Sequence, residues 1–233
     1  MALIGILGGM GPLATVDFMD KVVRLTQASR DQEHLPLLVA NLPHIADRSS
    51  AILDDGADPL PALLAGIDML NRNGVGLIAI PCNSAHHWYP QIRAHSAAPV
   101  LDIAEICIAA VPSTARRVAV LATGGTLVSG FYQRALTERD IEPVTPDETV
   151  QPLVAACIDE VKSGDLDAAA AHLERGLTML AEQDVTIALM ACTEIPLAAQ
   201  RVAALPIALI DSSLELARAT VKYACERGWN RPQ

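Results

Sequence analysis

Val-Gly-Leu-Ile-Ala-Ile-Pro-Cys at residues 75–82 and Val-Thr-Ile-Ala-Leu-Met-Ala-Cys at residues 185–192 are two apolar runs of equal length. Each run begins with valine and ends in cysteine, and a polar pair follows it, Asn83-Ser84 or Thr193-Glu194. Short apolar runs of this kind predict buried strands. The match between them indicates a duplicated fold in which one thiol lies at the end of the equivalent strand in each half.

The features around these runs repeat in the same order. Each half begins with a strand and a glycine turn, Gly8–Pro12 or Thr123–Thr126, and each closes on a short strand before an aspartate, Asp102 or Asp211. Alternating strands and helices predict parallel sheets with right-handed crossovers. Ligands of such sheets bind beyond the carboxyl ends of the strands, where both glycine turns and both cysteines are expected.

We therefore predict an α/β protein with two pseudo-symmetric lobes, each a short parallel sheet flanked by helices, with the active site in the cleft between the lobes. The first lobe is expected to comprise residues 1–101 and 211–233, because the final helix, about Ser213 to Arg227, packs back onto it. Residues 102–210 form the second lobe in this prediction. A single continuous sheet, in which the similarity of the halves is coincidental, is the alternative.

Four further elements matter for the site. Helices are predicted from Pro12 to about Ser29, from Cys82 onward to about His95, and from Leu127 to Arg139. The polar segment Pro43–Pro59 is interpreted as a loop on the ligand side of the first sheet.

Composition restricts the class of protein. The 233-residue chain has a net charge of −10, with 51% hydrophobic and 19% charged residues, which is typical of a folded globular protein. The acidic surplus argues against nucleic-acid binding. No apolar stretch reaches the roughly 18 residues of a membrane span, and Met1–Leu7 is interpreted as a first strand rather than a signal peptide. The five cysteines show no CxxC spacing, so we expect reduced thiols and a cytoplasmic protein.

Cys82 and Cys192 are the candidate catalytic residues. Each is expected to follow a strand and precede a helix, where the helix dipole lowers the pKa of a thiol. Two thiols facing each other across a cleft suggest a two-base proton-transfer site, although a single buried cysteine is equally compatible with core packing. Cys107, Cys157 and Cys225 lie within apolar helical segments and are expected in the core. A disulfide between Cys82 and Cys192 is interpreted as an oxidation artefact in a reducing compartment.

The remaining polar features are less specific. The glycine turn fails the GxGxxG dinucleotide pattern, because Pro12 occupies the fifth place and no glycine ends it. It is interpreted as a cradle for an anion or a carboxylate, or as a tight turn only. His86, one turn after Cys82, is within reach of the site, but a place on the helix surface is the favoured interpretation. Composition alone does not distinguish Arg48 or Lys162 from ordinary surface residues.

Three segments together resemble the aspartate/glutamate racemase family: residues 4–15, with the turn Gly8-Gly9-Met10-Gly11-Pro12 and the following Ala14-Thr15, residues 81–86, and residues 191–197. The likeness is nearest to the aspartate racemase branch, and it spans nearly the whole chain. Ser84 departs from the threonine that many relatives carry at this place, but it keeps the hydroxyl.

The resemblance implies that Cys82 and Cys192 are the acid/base residues on opposite faces of the substrate α-carbon. It implies a small-molecule amino-acid substrate, a homodimer, and neither pyridoxal phosphate nor a metal or other cofactor. Arg48 and Lys162 match the two cations that hold substrate carboxylates in the aspartate-specific branch. The substrate-binding residues that the resemblance implies are Met10, Arg48, Asn83, Ser84, Ala85, Lys162 and Thr193.

The expected function is cofactor-independent racemisation of aspartate or glutamate, with both substrates open. A broad-specificity amino-acid racemase is the first alternative, followed by a hydantoin racemase or a maleate isomerase, whose thiol acts as a nucleophile. The presence of both cysteines disfavours an arylmalonate decarboxylase. From other classes, a catalytically silent two-lobed amino-acid-binding protein and a redox switch remain, and a binder has no need of paired bases.

Overall fold

The structure, a computed structural model that describes residues 2–231, contains two parallel sheets, one in each half of the chain. The first half contains, in order, β1 (Ile4–Gly8), α1 (Pro12–Leu25), a 3-10 helix (Asp31–Glu33), β2 (Leu37–Asn41), α2 (Arg48–Leu53), α3 (Leu60–Arg72), β3 (Leu77–Ala79), a second 3-10 helix (Ser84–Trp88) and α4 (Tyr89–His95).

The second half follows a connecting helix, α5 (Ile103–Ala109). It contains β4 (Arg117–Leu121), α6 (Gly124–Ser129), α7 (Phe131–Thr137), β5 (Glu142–Val144), α8 (Gln151–Ser163), α9 (Leu166–Glu182), β6 (Ile187–Met190), α10 (Ile195–Ala199) and β7 (Ala208–Asp211), and the final helix is α11 (Ser212–Glu226).

The two sheets have the same strand order. The first runs β2-β1-β3, and Val100 extends it through a parallel bridge to Ile78 in β3. The second runs β5-β4-β6-β7, and every pair in both sheets is parallel. Each element of the first sheet therefore has a counterpart in the second, with β3 matched to β6. The duplicated α/β fold is confirmed, and the alternative of one continuous sheet is wrong.

Helices bury the inner strands β1, β3, β4 and β6, whereas the edge strands β2, β5 and β7 are only partly buried. All five residues of β1 are buried. The aromatic share of the chain is only 3%, so aliphatic side chains supply most of the core. No helix within residues 2–231 is long and apolar enough to cross a membrane.

Two equivalent aspartates begin the helices that follow the last paired segments of the two sheets. Asp102 begins α5 by accepting two backbone N–H bonds on one carboxylate oxygen, and Asp211 begins α11 in the same way. The two helices pack against each other, and α11 also packs on α1, where Leu216 joins a buried cluster with Ile4 and Phe18. The final helix thus contacts the first half of the chain, and the lobe boundaries at residues 101 and 211 stay a prediction.

Two predicted helices are shorter or divided in the structure. The first ends at Leu25, before the polar segment that precedes β2. The helix expected over Leu127–Arg139 is divided at Gly130, whose φ of +68° is a left-handed conformation that ends α6. Glycine adopts this conformation without a Cβ penalty, so the next turn starts in a new direction as α7.

Two segments near the predicted site, Pro43–Pro59 and the residues after Cys82, also differ from their predictions. The loop expected over Pro43–Pro59 contains α2, whose start is capped by the Asp47 carboxylate accepting the N–H of Ser50. The helix expected after Cys82 is a 3-10 helix, Ser84–Trp88, before it continues as α4. Both differences arise from local capping and tight turns, which hydrophobic periodicity does not report.

Candidate active site

Cys82 and Cys192 lie shortly after the ends of the matched strands β3 and β6, and they line one narrow cleft between the lobes. Both are nearly buried, with 3% and 6% of their surface exposed. The carboxyl ends of the strands thus place the two thiols as the duplication predicts. The other predicted site residues that the structure brings to this cleft are Met10, Arg48, Asn83, Ser84, Lys162 and Thr193.

Ala85 is the exception among the predicted site residues. Its side chain is fully buried and belongs to the hydrophobic cluster beneath the first sheet, with Ile78 and Trp88. It follows the two cleft residues Asn83 and Ser84, but the 3-10 turn directs its methyl group inward. Ala85 is therefore the predicted substrate-binding residue that does not line the cleft, and its contact with a substrate stays a prediction.

The glycine turn is organised by the protein's own side chains. Gly9 has a φ of +94° and a Cβ on it would clash with the backbone of Leu42, so the position favours glycine. Its N–H donates to the Thr15 hydroxyl at 2.9 Å, and that hydroxyl donates to the carbonyl of Gly11 at 2.9 Å. The N–H of Gly11 donates to Oε1 of Glu194 at 3.1 Å, so the carboxylate held by this turn comes from the second lobe.

Cys192 is paired with that same glutamate. Its Sγ donates to Oε2 of Glu194 at 3.0 Å. Burial raises the pKa of the Cys192 thiol well above its ordinary value, and the charge and hydrogen bond of Glu194 raise it further, while the Glu194 N–H and Lys162 oppose the shift. The lowered pKa expected for this thiol from its place before a helix is therefore wrong. Burial and a neighbouring carboxylate outweigh a five-residue helix.

Cys82 has different neighbours. Its Sγ lies 3.5 Å from the Ser84 hydroxyl, and within residues 2–231 no carboxylate forms a hydrogen bond with it. His86 holds the local backbone, because its Nδ1 lies 2.9 Å from the Cys82 carbonyl and its Nε2 accepts the N–H of Ile103 at 3.3 Å. With 5% of its surface exposed, His86 is a buried residue, so the interpretation as helix surface is wrong.

Arg48 is held at the edge of the cleft by backbone carbonyls. Its Nη1 donates to Ile45 and Ala46 at 3.2 and 3.0 Å, and its Nη2 to Met10 at 3.4 Å. The Nε atom is buried and has no hydrogen-bond partner among the described residues. A guanidinium with one unused buried N–H is suited to an anionic ligand, because an unpaired buried donor is costly.

Lys162 supplies a second cation from the last turn of α8 in the other lobe. Its Nζ lies 3.5 Å from the Asp159 carboxylate, and the side chain is about half exposed. Burial lowers the pKa of the Lys162 ammonium, but Cys192 when ionised, together with the carboxylates of Glu194, Asp159 and Asp47, outweighs burial and raises the pKa. Lys162 is therefore held cationic beside the Cys192 thiol.

The residues directly after the two cysteines bond across the lobes. Oδ1 of Asn83 accepts from the Tyr132 hydroxyl at 2.6 Å, and its Nδ2 donates to the Ser212 hydroxyl at 3.0 Å. Thr193 donates to the carbonyl of Pro81 at 3.2 Å. Both side chains reach the cleft wall, but their polar groups are engaged with protein.

Glu194 is the main residue that sequence reasoning missed. It is 5% exposed, lines the cleft and contacts both the Cys192 thiol and the first lobe. Its place in the sequence was a usable signal, because it stands two positions after Cys192, as Ser84 stands two positions after Cys82. In both lobes this second residue contacts the thiol.

The other cysteines are packed in the protein. Cys107 and Cys157 are fully buried, which confirms their predicted place in the core, and Cys225 is partly buried beside the α1–α11 cluster. Burial raises the pKa of the Cys157 thiol to about 12. All five thiols are free. No group of three His, Cys, Asp or Glu side chains in the described part of the chain is arranged to hold a metal ion.

Comparison with known proteins places these features among racemases. The model of the Asp/Glu/hydantoin racemase family matches residues 7–220. The chain is 33% identical over 228 residues to the broad specificity amino-acid racemase RacX of Bacillus subtilis, covering 94% of this chain and 96% of that protein. It is 32% identical to the aspartate racemase of Picrophilus torridus, with a TM-score of 0.87 and coverage of 97% and 95% of the two chains. An aspartate racemase homologue from Pyrococcus horikoshii shares the fold, at 22% identity and a TM-score of 0.74 over 97% of this chain and 100% of that one.

Proposed function

The chain belongs to the Asp/Glu/hydantoin racemase family, and from this premise we propose that it is a cofactor-independent racemase that interconverts L- and D-aspartate. One observation carries the proposal: two thiols at equivalent strand ends of opposed lobes line a single cleft. Such an arrangement supplies one proton-transfer group to each face of a bound α-carbon. The reaction is an isomerisation, since the α-proton that is removed is replaced by another and the product differs from the substrate only in configuration.

In the proposed step, the thiolate of one cysteine removes the α-proton, forming an S–H bond as the C–H bond breaks. The opposite thiol delivers its proton to the other face and becomes the thiolate. Because burial and Glu194 raise the pKa of the Cys192 thiol, we assign Cys192 as the acid and Cys82 as the base in one direction of the reaction. The reverse reaction exchanges the two roles, and the pair titrates as a unit.

Glu194 has a specific part in this proposal. A carboxylate beside the sulfur raises the proton affinity of Cys192, so the Cys192 thiolate formed after proton delivery is a stronger base than an ordinary thiolate. Abstraction of a weakly acidic α-proton benefits from such a base. Lys162 and the N–H of Glu194 lower the pKa of Cys192, so they stabilise the Cys192 thiolate when it forms.

Two cations favour a dicarboxylic substrate. Arg48 offers an unused Nε in the first lobe, and Lys162 offers an ammonium in the second. A fixed guanidinium near the α-carboxylate stabilises the negative charge that develops there when the proton leaves, a contribution of several kcal/mol in related electrostatic sites. Met10 and Ser84 line the same cleft and are proposed as further substrate contacts.

A broad-specificity amino-acid racemase is the second candidate, because the Bacillus relative of that name shares 33% identity over nearly the full chain. The two candidates differ in their need for the cations. An aspartate racemase loses activity on a neutral amino acid, whereas a broad-specificity enzyme retains it. Arg48 and Lys162 favour the first candidate.

The family resemblance also supports a homodimer in a reducing, cytoplasmic environment. Leu13 and Val16, the latter 60% exposed, form an apolar part of α1 near the glycine turn. Sedimentation analysis of the reduced protein tests the dimer directly, and a monomer at micromolar concentration contradicts it.

The proposed activity is tested by a proton NMR time course of L-aspartate with the purified, reduced protein in deuterated water without pyridoxal phosphate. We expect loss of the α-proton signal, with chiral analysis showing approach to equal amounts of both enantiomers. Glutamate and alanine in parallel tubes separate the two candidates. No exchange with aspartate rejects the proposed function. A Cys225→Ser variant, changed at a partly buried thiol of α11, serves as the control and should match the wild type.

A further inference from the structure

The side chains of Asn83 and Thr193, each directly after a catalytic cysteine, are committed to hydrogen bonds between the lobes. We propose that they are positioning residues that set the separation of the two thiols, Thr193 by a direct bond to the segment that carries Cys82 and Asn83 by a bond through Ser212 to the segment that carries Cys192. This inference rests on the proposed function, and it changes the role that the family resemblance implies for these two residues, which was substrate binding.

The amide of Asn83 is engaged at both ends. Ser212 donates its hydroxyl proton to the carbonyl of Met190 at 2.7 Å, so its oxygen must accept from Nδ2 of Asn83. The Tyr132 hydroxyl donates to Oδ1 of the same amide at 2.6 Å. The chain of bonds therefore runs from the residue after Cys82 to Met190, two positions before Cys192.

Thr193 makes the opposite connection. Its hydroxyl donates to the carbonyl of Pro81, the residue immediately before Cys82, at 3.2 Å. The same oxygen lies 3.4 Å from Oε2 of Glu194, a longer contact. Thr193 thus bonds directly to the backbone next to Cys82, and Asn83 is connected through Ser212 to the backbone near Cys192.

Burial makes these connections rigid. Asn83 and Thr193 are 2% and 1% exposed, and the network's other members, Tyr132 and Ser212, are fully buried. A buried polar group that loses its partner is costly, so a satisfied network strongly favours one arrangement of the lobes. Proton transfer requires the acid and the base within a fraction of an ångström of their working positions. The network therefore acts on the geometry of the reaction rather than on substrate affinity.

Tyr132 and Ser212 allow a test that leaves the substrate contacts untouched, because neither lines the cleft. Tyr132→Phe removes the donor to Asn83, and Ser212→Ala removes the link to Met190. The matched control is Tyr89→Phe, since the Tyr89 hydroxyl donates to the carbonyl of Val100 at 2.9 Å within the first lobe alone. Each variant is assayed with aspartate in deuterated water, after its folded fraction has been measured by circular dichroism.

We expect kcat to fall roughly tenfold to a hundredfold in Tyr132→Phe and Ser212→Ala, with KM for aspartate within about twofold of the wild type. We also expect a larger share of deuterium incorporation with retained configuration. Removal and return of a proton on one face need only one thiol, whereas inversion needs both thiols correctly placed on opposite faces of the α-carbon. Tyr89→Phe should keep the wild-type ratio of retention to inversion.

Thr193 is tested with a conservative pair. Thr193→Val removes the hydroxyl and should reproduce the kcat loss and the rise in retention, and Thr193→Ser should restore most of the activity. Thr220→Val is the control, because the Thr220 hydroxyl donates to Leu216 within α11.

Wild-type kcat and retention in Tyr132→Phe, or a Thr193→Val effect confined to KM, overturns the inference. If Tyr132→Phe does not fold, Ser212→Ala gives the decision by the same two criteria. The proposed function fails separately, if the wild-type protein itself shows no exchange.

Discussion

The two cysteine loops have the same position in the fold and different chemistry. Cys82 and Cys192 end matched strands, and in each loop the second residue after the cysteine contacts the thiol. That residue is a serine beside Cys82 and a glutamate beside Cys192. Duplication supplies the two opposed thiols, and a single side-chain difference gives one of them a carboxylate partner. The symmetry of the fold therefore does not extend to the protonation of the site.

The difference fits the task of a racemase. The reaction needs one thiol and one thiolate at the start of each turnover, and two identical thiol environments do not specify which is which. Burial and the Glu194 carboxylate raise the pKa of the Cys192 thiol, which favours its protonated form. We expect the two reaction directions to respond differently to pH, since each begins from a different proton arrangement.

The largest effect is expected when the thiol of either cysteine loop is removed. Cys82→Ser and Cys192→Ser should each lower the racemisation rate at least about a hundredfold, because each variant lacks the acid or the base of one face. Polarimetry or chiral chromatography from both enantiomers measures the loss. Near-wild-type racemisation in either variant contradicts the two-base assignment.

The second-largest effect is expected from removal of the two cations, and it should differ between the lobes. Arg48 is fixed by three backbone carbonyls, whereas Lys162 is half exposed. Arg48→Ala should raise KM for aspartate roughly tenfold to a hundredfold, the scale of a lost charge-assisted hydrogen bond, and Lys162→Ala should raise it less. Arg72→Ala, on the exposed end of α3, is the control. Unchanged aspartate kinetics in Arg48→Ala remove this residue from the site.

Glu194→Gln should reduce the chemical difference between the two cysteine loops, because it removes the negative charge beside Cys192. The amide keeps an oxygen for the N–H of Gly11 but removes the charge, so the pKa of the Cys192 thiol falls. Alkylation of Cys192 by iodoacetamide, followed by mass spectrometry across pH, should begin at lower pH than in the wild type. Racemisation should fall about tenfold, a loss expected for a weaker base. Ser84→Ala is the reciprocal variant and should change racemisation less. A Cys192 alkylation profile identical to that of the wild type contradicts the proposed role of Glu194.

The smallest effect concerns stability at alkaline pH. The folded-state pKa values of Cys157, about 12, and of Cys192 are raised above the value of about 8.5 for a free thiol. The folded state then binds more protons than the unfolded state, so their contribution is complete below pH 8.5 and is lost as pH rises. Above the unfolded-state pKa of about 8.5, each thiol should lower the unfolding free energy by up to about 1.4 kcal/mol per pH unit, until pH reaches the folded-state pKa. Urea unfolding of Cys157→Ala and Cys192→Ala should give a shallower pH slope, and an unchanged slope contradicts the shift.

Much of the fold was predictable because the two halves contain matching short apolar runs and turns in the same order. The apolar runs before Cys82 and Cys192 predicted the matched strands β3 and β6. Capping and turn geometry were less accessible. Gly130 divides a helix, and the serines after Arg48 form a helical turn that hydrophobic patterning does not reveal.

The candidate site was predictable in its residues and less so in their interactions. The motifs located the thiols and both cations, but the partners of Cys192 and Asn83 come from distant sequence. Glu194 bonds to Gly11, 183 positions away, and Asn83 bonds to Tyr132 and Ser212 in other elements. A pKa set by burial and by such a partner is a tertiary property. For this reason the position of Cys192 before a helix did not predict that the pKa of its thiol is raised.

The central claim, one thiol for each face of the substrate, is tested most directly with the single variants Cys82→Ala and Cys192→Ala. Each is incubated with L-aspartate and, separately, with D-aspartate in deuterated water, and α-proton exchange is followed by proton NMR. We predict that each variant exchanges the α-proton of one enantiomer only, and that the two variants select opposite enantiomers. Exchange of the same enantiomer by both variants, or of both enantiomers by either one, would contradict the account.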